Sequence, residues 1–218
     1  MEGIALLSGG KDSVYAMYIA MQQGIKIKKI INIYPEKFSL MYHFPNVHLI
    51  NLISQSLDID FAQYKISDEP NELQNILSTF EEKIVVTGAI ESEYQKTRLE
   101  QICTKLEKIH YSPLWKKDPF KILSEILQAG FRVIFVSVSA EGLGDDFLGS
   151  ELNYNTIERL KRLKEKYGIH PSGEGGEYET LVLDGPIYKS RIKIDKWQKE
   201  WYGNFGLFKI VNAHIEKK

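Results

Sequence analysis

Six residues near the start of the chain, Ser8-Gly9-Gly10-Lys11-Asp12-Ser13, combine two glycines, an ammonium, a carboxylate and two hydroxyls. That set suits a bound polyphosphate. Glycines let backbone N–H groups approach an anion closely. Residues 4–7 before the loop read as a strand and residues 13–23 after it as a helix ended by Gly24, and a helix N-terminus adds unpaired donors and a favourable dipole. Lys11 brings a full positive charge, Ser8 and Ser13 bring hydroxyl donors, and Asp12 offers an oxygen to Mg²⁺. The loop is too short for the Walker A pattern and is not G-x-G-x-x-G. An ordinary strand-to-helix turn could also hold two glycines, but all six positions in this context favour the anion.

Three further segments carry chemistry. Residues 41–46, MYHFPN, set His43 and Asn46 amid aromatics and prolines. Residues 88–98, GAIESEYQKTR, begin where a fourth strand should end. Arg98 there can grip a phosphate or carboxylate in a bidentate way, or serve as a surface ion-pair partner. Gln95, three residues earlier, shares its helical face. Gly88 either lets a nucleotide approach the strand end, where ligands of open α/β sheets bind, or simply ends the strand. Residues 173–180, GEGGEYET, crowd Glu174, Glu177 and Glu179 into a glycine-rich stretch. A glutamate with a raised pKa could accept a proton there, and ammonium or a second Mg²⁺ would also suit the cluster. The residues do not single out one of the three.

The elements that must position these groups alternate β-branched runs with helical patterns, which predicts βαβ units and a parallel sheet. Strands are expected at 27–34, 61–66 and 84–88, and helices at 71–80 and from Asn46 through Leu57, with Asn46 as cap. Leu99, Ile102, Cys103, Leu106 and Ile109 fall at helical spacing over 93–108, making Cys103 a core residue. A short fifth strand is expected at 110–114. Asp118-Pro119 starts a helix that Gly130 stops. Beyond it, 132–139 reads as a strand, 155–167 as a charged helix, and 181–184 and 188–194 as strands. The expected architecture is α/β, a Rossmann-like parallel sheet with helices on both faces, plus a smaller α+β C-terminal domain. The boundary falls near Lys117, giving domains 1–117 and 118–218. The final ~25 residues, rich in Trp and Lys, carry no recognisable motif.

Composition narrows the function classes. The 218 residues are 43% hydrophobic and 26% charged, as in a globular protein. A net charge of −1 speaks against a broad nucleic-acid surface. One cysteine excludes an internal disulfide and a cysteine-rich zinc site. An early charge-and-glycine pattern is unlike a signal peptide, and no apolar run approaches the ~20 residues of a membrane helix. A cytoplasmic protein is expected.

The loop closely resembles SGGxDS, the signature of the PP-loop (HUP-type) ATP pyrophosphatases. With MYHFPN, GAIESEYQKTR and GEGGEYET, nearly the whole chain resembles the diphthine–ammonia ligase branch. The resemblance implies an ATP-dependent amide ligase acting in diphthamide biosynthesis on translation elongation factor two. It implies that diphthine's carboxylate is adenylated and then attacked by ammonia, releasing AMP and pyrophosphate. By that resemblance Lys11, Asp12, Gln95, Arg98, Glu174 and Glu177 are the catalytic candidates. Ser8, Gly9, Gly10, Lys11, Asp12, Ser13 and Gly88 would hold ATP, with Asp12 also on Mg²⁺. His43, Asn46, Tyr94 and Glu179 would contact the substrate, and the C-terminal domain carrying GEGGEYET would bind it. A homodimer is left open. Two rivals are a PP-loop tRNA-modifying enzyme, disfavoured by the charge and the single cysteine, and a non-catalytic adenine-nucleotide-binding module, which leaves Gln95, Arg98 and the glutamates unexplained.

Overall fold

The computed structural model describes residues 1–35, 46–67 and 71–218. The chain divides into two units. The first comprises Met1–Ser8, Asp12–Ile50 and Ile59–Lys116, and the second Gly9–Lys11, Asn51–Asp58 and Lys117–Lys218.

The first unit holds strands β1 (Glu2–Leu6), β2 (Lys26–Pro35), β3 (Phe61–Ile66), β4 (Ile84–Val86) and β5 (Ile109–Tyr111), with helices α1 (Lys11–Gln22), α3 (Glu72–Ser78) and α4 (Glu93–Lys105). Its sheet runs β3-β2-β1-β4-β5, every pair parallel. On one face Ile4, Ile31 and Val85 pack with Leu73 and Leu77 of α3 and with Leu99, Ile102 and Cys103 of α4. The alternate residues Ala5, Ile30, Ile84 and Val86 are as deeply buried. Both faces of the sheet are therefore covered, as the unbroken apolar runs of parallel strands require. Burial pushes the Cys103 thiol up to about 11, the behaviour of a core residue.

Some expectations shift. A 3-10 turn (Val47–Leu49) precedes α2 (Ile50–Leu57), and Asn46 stands ahead of it at φ 75. Ile109 leaves the helical face for β5, because Glu107 turns the chain at φ 53 and the Lys108 amide closes back on the Cys103 carbonyl. The fifth strand accordingly starts one residue early and ends at Tyr111.

In the second unit the sheet is antiparallel and ordered β7-β6-β9-β8, formed by β6 (Arg132–Val138), β7 (Tyr178–Asp184), β8 (Ser190–Tyr202) and β9 (Phe205–Lys217). Helices α5 (Pro119–Gln128) and α6 (Tyr154–Tyr167) pack on one another. Asp118 accepts from the Lys121 amide at 2.8 Å, with Pro119 in the first turn, so the expected cap and start coincide. Asn153 and Thr156 form a reciprocal cap for α6.

The final ~25 residues are one long hairpin. The strand expected at 188–194 continues to Tyr202, turns through Gly203-Asn204 with Gly203 at φ 71, and returns as β9. Trp197 stacks on Phe208 and Tyr202 on Phe205, ring centroids 5.0 and 4.9 Å apart. Among the described residues no helix is long and apolar enough to cross a membrane.

Candidate active site

The Ser8–Ser13 loop leaves β1 and enters α1 beside the place where strand order reverses, with β2 on one side of β1 and β4 on the other. Ligands of open α/β sheets bind outside the carboxyl ends of the strands at such a switch point. Ser13 Oγ lies 3.1 Å from Ser8 Oγ and accepts from the Ser8 amide at 3.3 Å, which closes the loop over the start of α1. The first turn of α1 includes Asp12.

Gly88, just beyond β4, touches this helix start. A Cβ placed on it would meet Ser13 N at 2.6 Å and the Asp12 carbonyl carbon at 2.7 Å. The direction a Gly88 side chain would take thus faces the backbone of α1. Its missing side chain sets how closely α1 approaches β4, which gives this glycine a packing reason of its own.

Further along the same segment, α4 opens with Ser92 as cap, its hydroxyl accepting from the Gln95 amide at 3.4 Å. Tyr94 is 73% exposed, Gln95 is exposed, and Arg98 is half-buried. These three occupy the first turns of the helix that leaves the β4 end.

Gly9–Lys11 belong to the second unit, and the contacts described for them lie within it. Strand β7 is an edge strand there, and the loop covers its open side. The Val182 amide donates to the Gly9 carbonyl at 3.0 Å, and the Lys11 amide donates to Thr180 Oγ1 at 3.1 Å. Gly9 has φ 89, and a Cβ there would stand 2.7 Å from Ile53 Cδ1. Gly10 is half-buried. Lys11, expected to present its charge to phosphate, is only 3% exposed. Its ammonium donates to the Ser172 carbonyl at 2.6 Å and sits 4.9 Å from the centre of the Tyr178 ring.

The three glutamates have separate surroundings. Glu177 builds the turn: Oε1 accepts from the His170 amide at 2.7 Å and Oε2 from the Gly175 amide at 2.9 Å. Glu174 is half-buried, its amide directed at His170 Nδ1 at 3.4 Å. Glu179 is half-buried on β7 and, by strand alternation, faces away from Tyr178 and Thr180. Sequence reasoning passed over His170, Ser172 and Thr180. Thr180 closes the GEGGEYET stretch, and its alternation with the buried Tyr178 was the available signal. His43 lies outside the described residues. Asn46 is buried at the start of the 3-10 turn.

A cluster at the carboxyl ends of β4 and β5 was also missed. Thr87 Oγ1, His110 Nε2 and Ser112 Oγ form a closed triangle of 2.8, 2.8 and 2.9 Å. Burial holds His110 below its ordinary 6.5; Lys96 lowers it further, against an upward pull from Glu100. The unfolded chain therefore takes up this proton first. Stability present above about 6.5 is expected to be lost as the pH falls from there toward the lower folded value. Denaturation midpoints between pH 7.5 and 5.5 should decline in the native chain and decline less in His110→Asn.

Among the described residues no group of three or more His, Cys, Asp or Glu is placed to hold a metal ion.

A parallel sheet ordered 3-2-1-4-5, with an SGGKDS loop entering the first helix at the switch point, defines a Rossmann-like PP-loop enzyme. Two family profiles match, the diphthamide synthase N-terminal domain over residues 1–108 and the diphthamide synthase C-terminal domain over residues 118–215. A diphthine–ammonia ligase of Danio rerio is 31% identical over 100% of this chain and 98% of its own length. One from Homo sapiens is 30% identical over 100% and 94%. In Schizosaccharomyces pombe the relative of the same name is 34% identical over 88% of this chain, which spans 36% of that longer protein. The chain belongs to the diphthine–ammonia ligase family and is an ATP-dependent amide ligase.

Proposed function

We infer that this chain amidates diphthine to diphthamide on translation elongation factor two, taking ATP and ammonium as its other substrates and acting in the cytoplasm. Full-length similarity to ligases of that name carries the reading. The loop chemistry supports the route. A carboxylate is a poor electrophile, so an oxygen of diphthine's carboxylate attacks the α-phosphorus, the bond to the β-phosphate bridge breaks, and pyrophosphate leaves. Ammonia's lone pair then attacks the adenylated carbonyl carbon, and the bond to AMP breaks as the amide forms.

Residues 1–117 act as the ATP-binding domain and 118–218 as the substrate-binding domain. The amides of α1 that follow Lys11 and the hydroxyls of Ser8 and Ser13 bind phosphate oxygens, anions suited to a helix N-terminus. Asp12 is the carboxylate that would hold Mg²⁺, which when bound would supply charge neutralisation at the phosphates. Arg98 and Gln95 orient the reacting carboxylate or α-phosphate. His43, Asn46 and Tyr94 contact the substrate. Glu174 and Glu179 receive ammonium and its proton, and Glu177 holds two turn amides.

The test is to supply the full chain with ATP, ammonium and diphthine-bearing elongation factor, and to follow amide, AMP and pyrophosphate. Equal yields of the three are expected. Arg98→Ala should lower kcat/KM by about 100-fold, the size of losing one positioned charge donor. ADP as the nucleotide product, or amide formed without ATP, would exclude the adenylate.

A further inference from the structure

We propose that Lys11 is a positioning residue that fixes the 170–180 turn, and not a ligand of the triphosphate; this rests on the amidation reading for its kinetic part only. The side chain is almost wholly buried, and its ammonium is directed at the Ser172 carbonyl, 2.6 Å away. The Tyr178 ring faces the same ammonium, and the Tyr178 hydroxyl donates to the Pro171 carbonyl at 2.5 Å. Lysine and tyrosine thus hold consecutive carbonyls, those of Pro171 and Ser172, at the mouth of the turn. The Lys11 amide holds Thr180 at its far end. One residue of the glycine-rich loop therefore clasps both ends of the segment that carries Glu174, Glu177 and Glu179.

The turn needs that clasp. Gly173 at φ 72 lies so close to the Tyr178 carbonyl that a Cβ would stand 2.7 Å from it, so the segment folds back on itself with little slack. Glu177 and His170 tie its interior amides. A buried ammonium is stable only where acceptors and a π face replace water. The carbonyl of Ser172 and the Tyr178 ring do so here. An arginine is too bulky and planar for this single-carbonyl seat, and methionine keeps the length without the charge.

Lys11→Met, Lys11→Arg and Tyr178→Leu in the full-length protein test the assignment. Hydrogen exchange at the His170 and Gly175 amides, read without any substrate, should quicken at least tenfold in Lys11→Met and Tyr178→Leu. Titration of Lys11→Met with ATP and Mg²⁺ should give a Kd within threefold of the native value. The KM for ammonium should rise tenfold or more, with the KM for ATP unchanged. Unchanged exchange together with a thirtyfold weaker ATP Kd would overturn the proposal and return Lys11 to the phosphates. If Lys11→Met does not fold, Lys11→Arg and Tyr178→Leu decide by the same two readouts. If the native chain makes no amide, the amidation reading fails, while exchange and ATP affinity still judge the clasp.

Discussion

Gly88→Ala is expected to destabilise the protein by about 3 kcal/mol, the upper end for forcing one methyl into a packed site. It should also slow AMP release about 100-fold. The added carbon would meet Ser13 N, the Asp12 carbonyl carbon and Ser13 Cα at 2.6, 2.7 and 2.8 Å. All three are backbone atoms at the start of α1, so no side chain can rotate away. Relief requires the helix to move off β4, and the same amides and the Ser13 hydroxyl are the groups assigned to phosphate. Guanidinium denaturation and initial rates on one preparation check both halves. A variant within twofold of native activity and equally stable would mean that α1 does not rest on Gly88.

Glu177 gives the second large effect, and it separates architecture from chemistry. Glu177→Ala leaves the His170 and Gly175 amides without their carboxylate. Charge-assisted hydrogen bonds contribute about 1.5–3 kcal/mol each, and Gly175 is exposed, so a loss of about 2–3 kcal/mol is expected. Glu177→Gln keeps one acceptor oxygen and should lose about 1 kcal/mol while retaining activity within tenfold. A residue that takes ammonium's proton behaves otherwise, because an amide cannot accept it. A thousandfold loss of kcat in Glu177→Gln at unchanged stability would make Glu177 the base.

Much of the first unit was legible. Unbroken apolar strands separated by helical spacing identify a parallel sheet, and glycines mark helix ends: Gly24 adopts positive φ where a stop was expected, as Gly130 does in the second unit. The loop was legible because its chemistry is local, six residues between a strand and a helix. The hairpin was not. Register shifts between Ile194 and Trp197 break the alternation that identifies a strand, and an edge strand rich in Lys and Trp lacks a clean apolar face. Gly203-Asn204 was the usable signal, a two-residue hairpin turn.

Within the site, residue types were legible and their orientations were not. Lys11 reads as a phosphate cation from its neighbours in sequence. Its ammonium donates to the carbonyl of Ser172, 161 positions away, and no local pattern encodes that contact. Glu177 likewise looks equivalent to Glu174 and Glu179 until the His170 and Gly175 amides are seen to claim both its oxygens.

The seating of Gly9–Lys11 along the open side of β7 bears on how the chain matures during synthesis. The Thr180 and Val182 groups that receive these residues emerge from the ribosome roughly 170 residues after them. At about 5–20 residues per second the nascent loop waits on the order of ten seconds or more for its anchor. An N-terminal fragment ending before β7 would carry the whole SGGKDS sequence without the strand that shapes it.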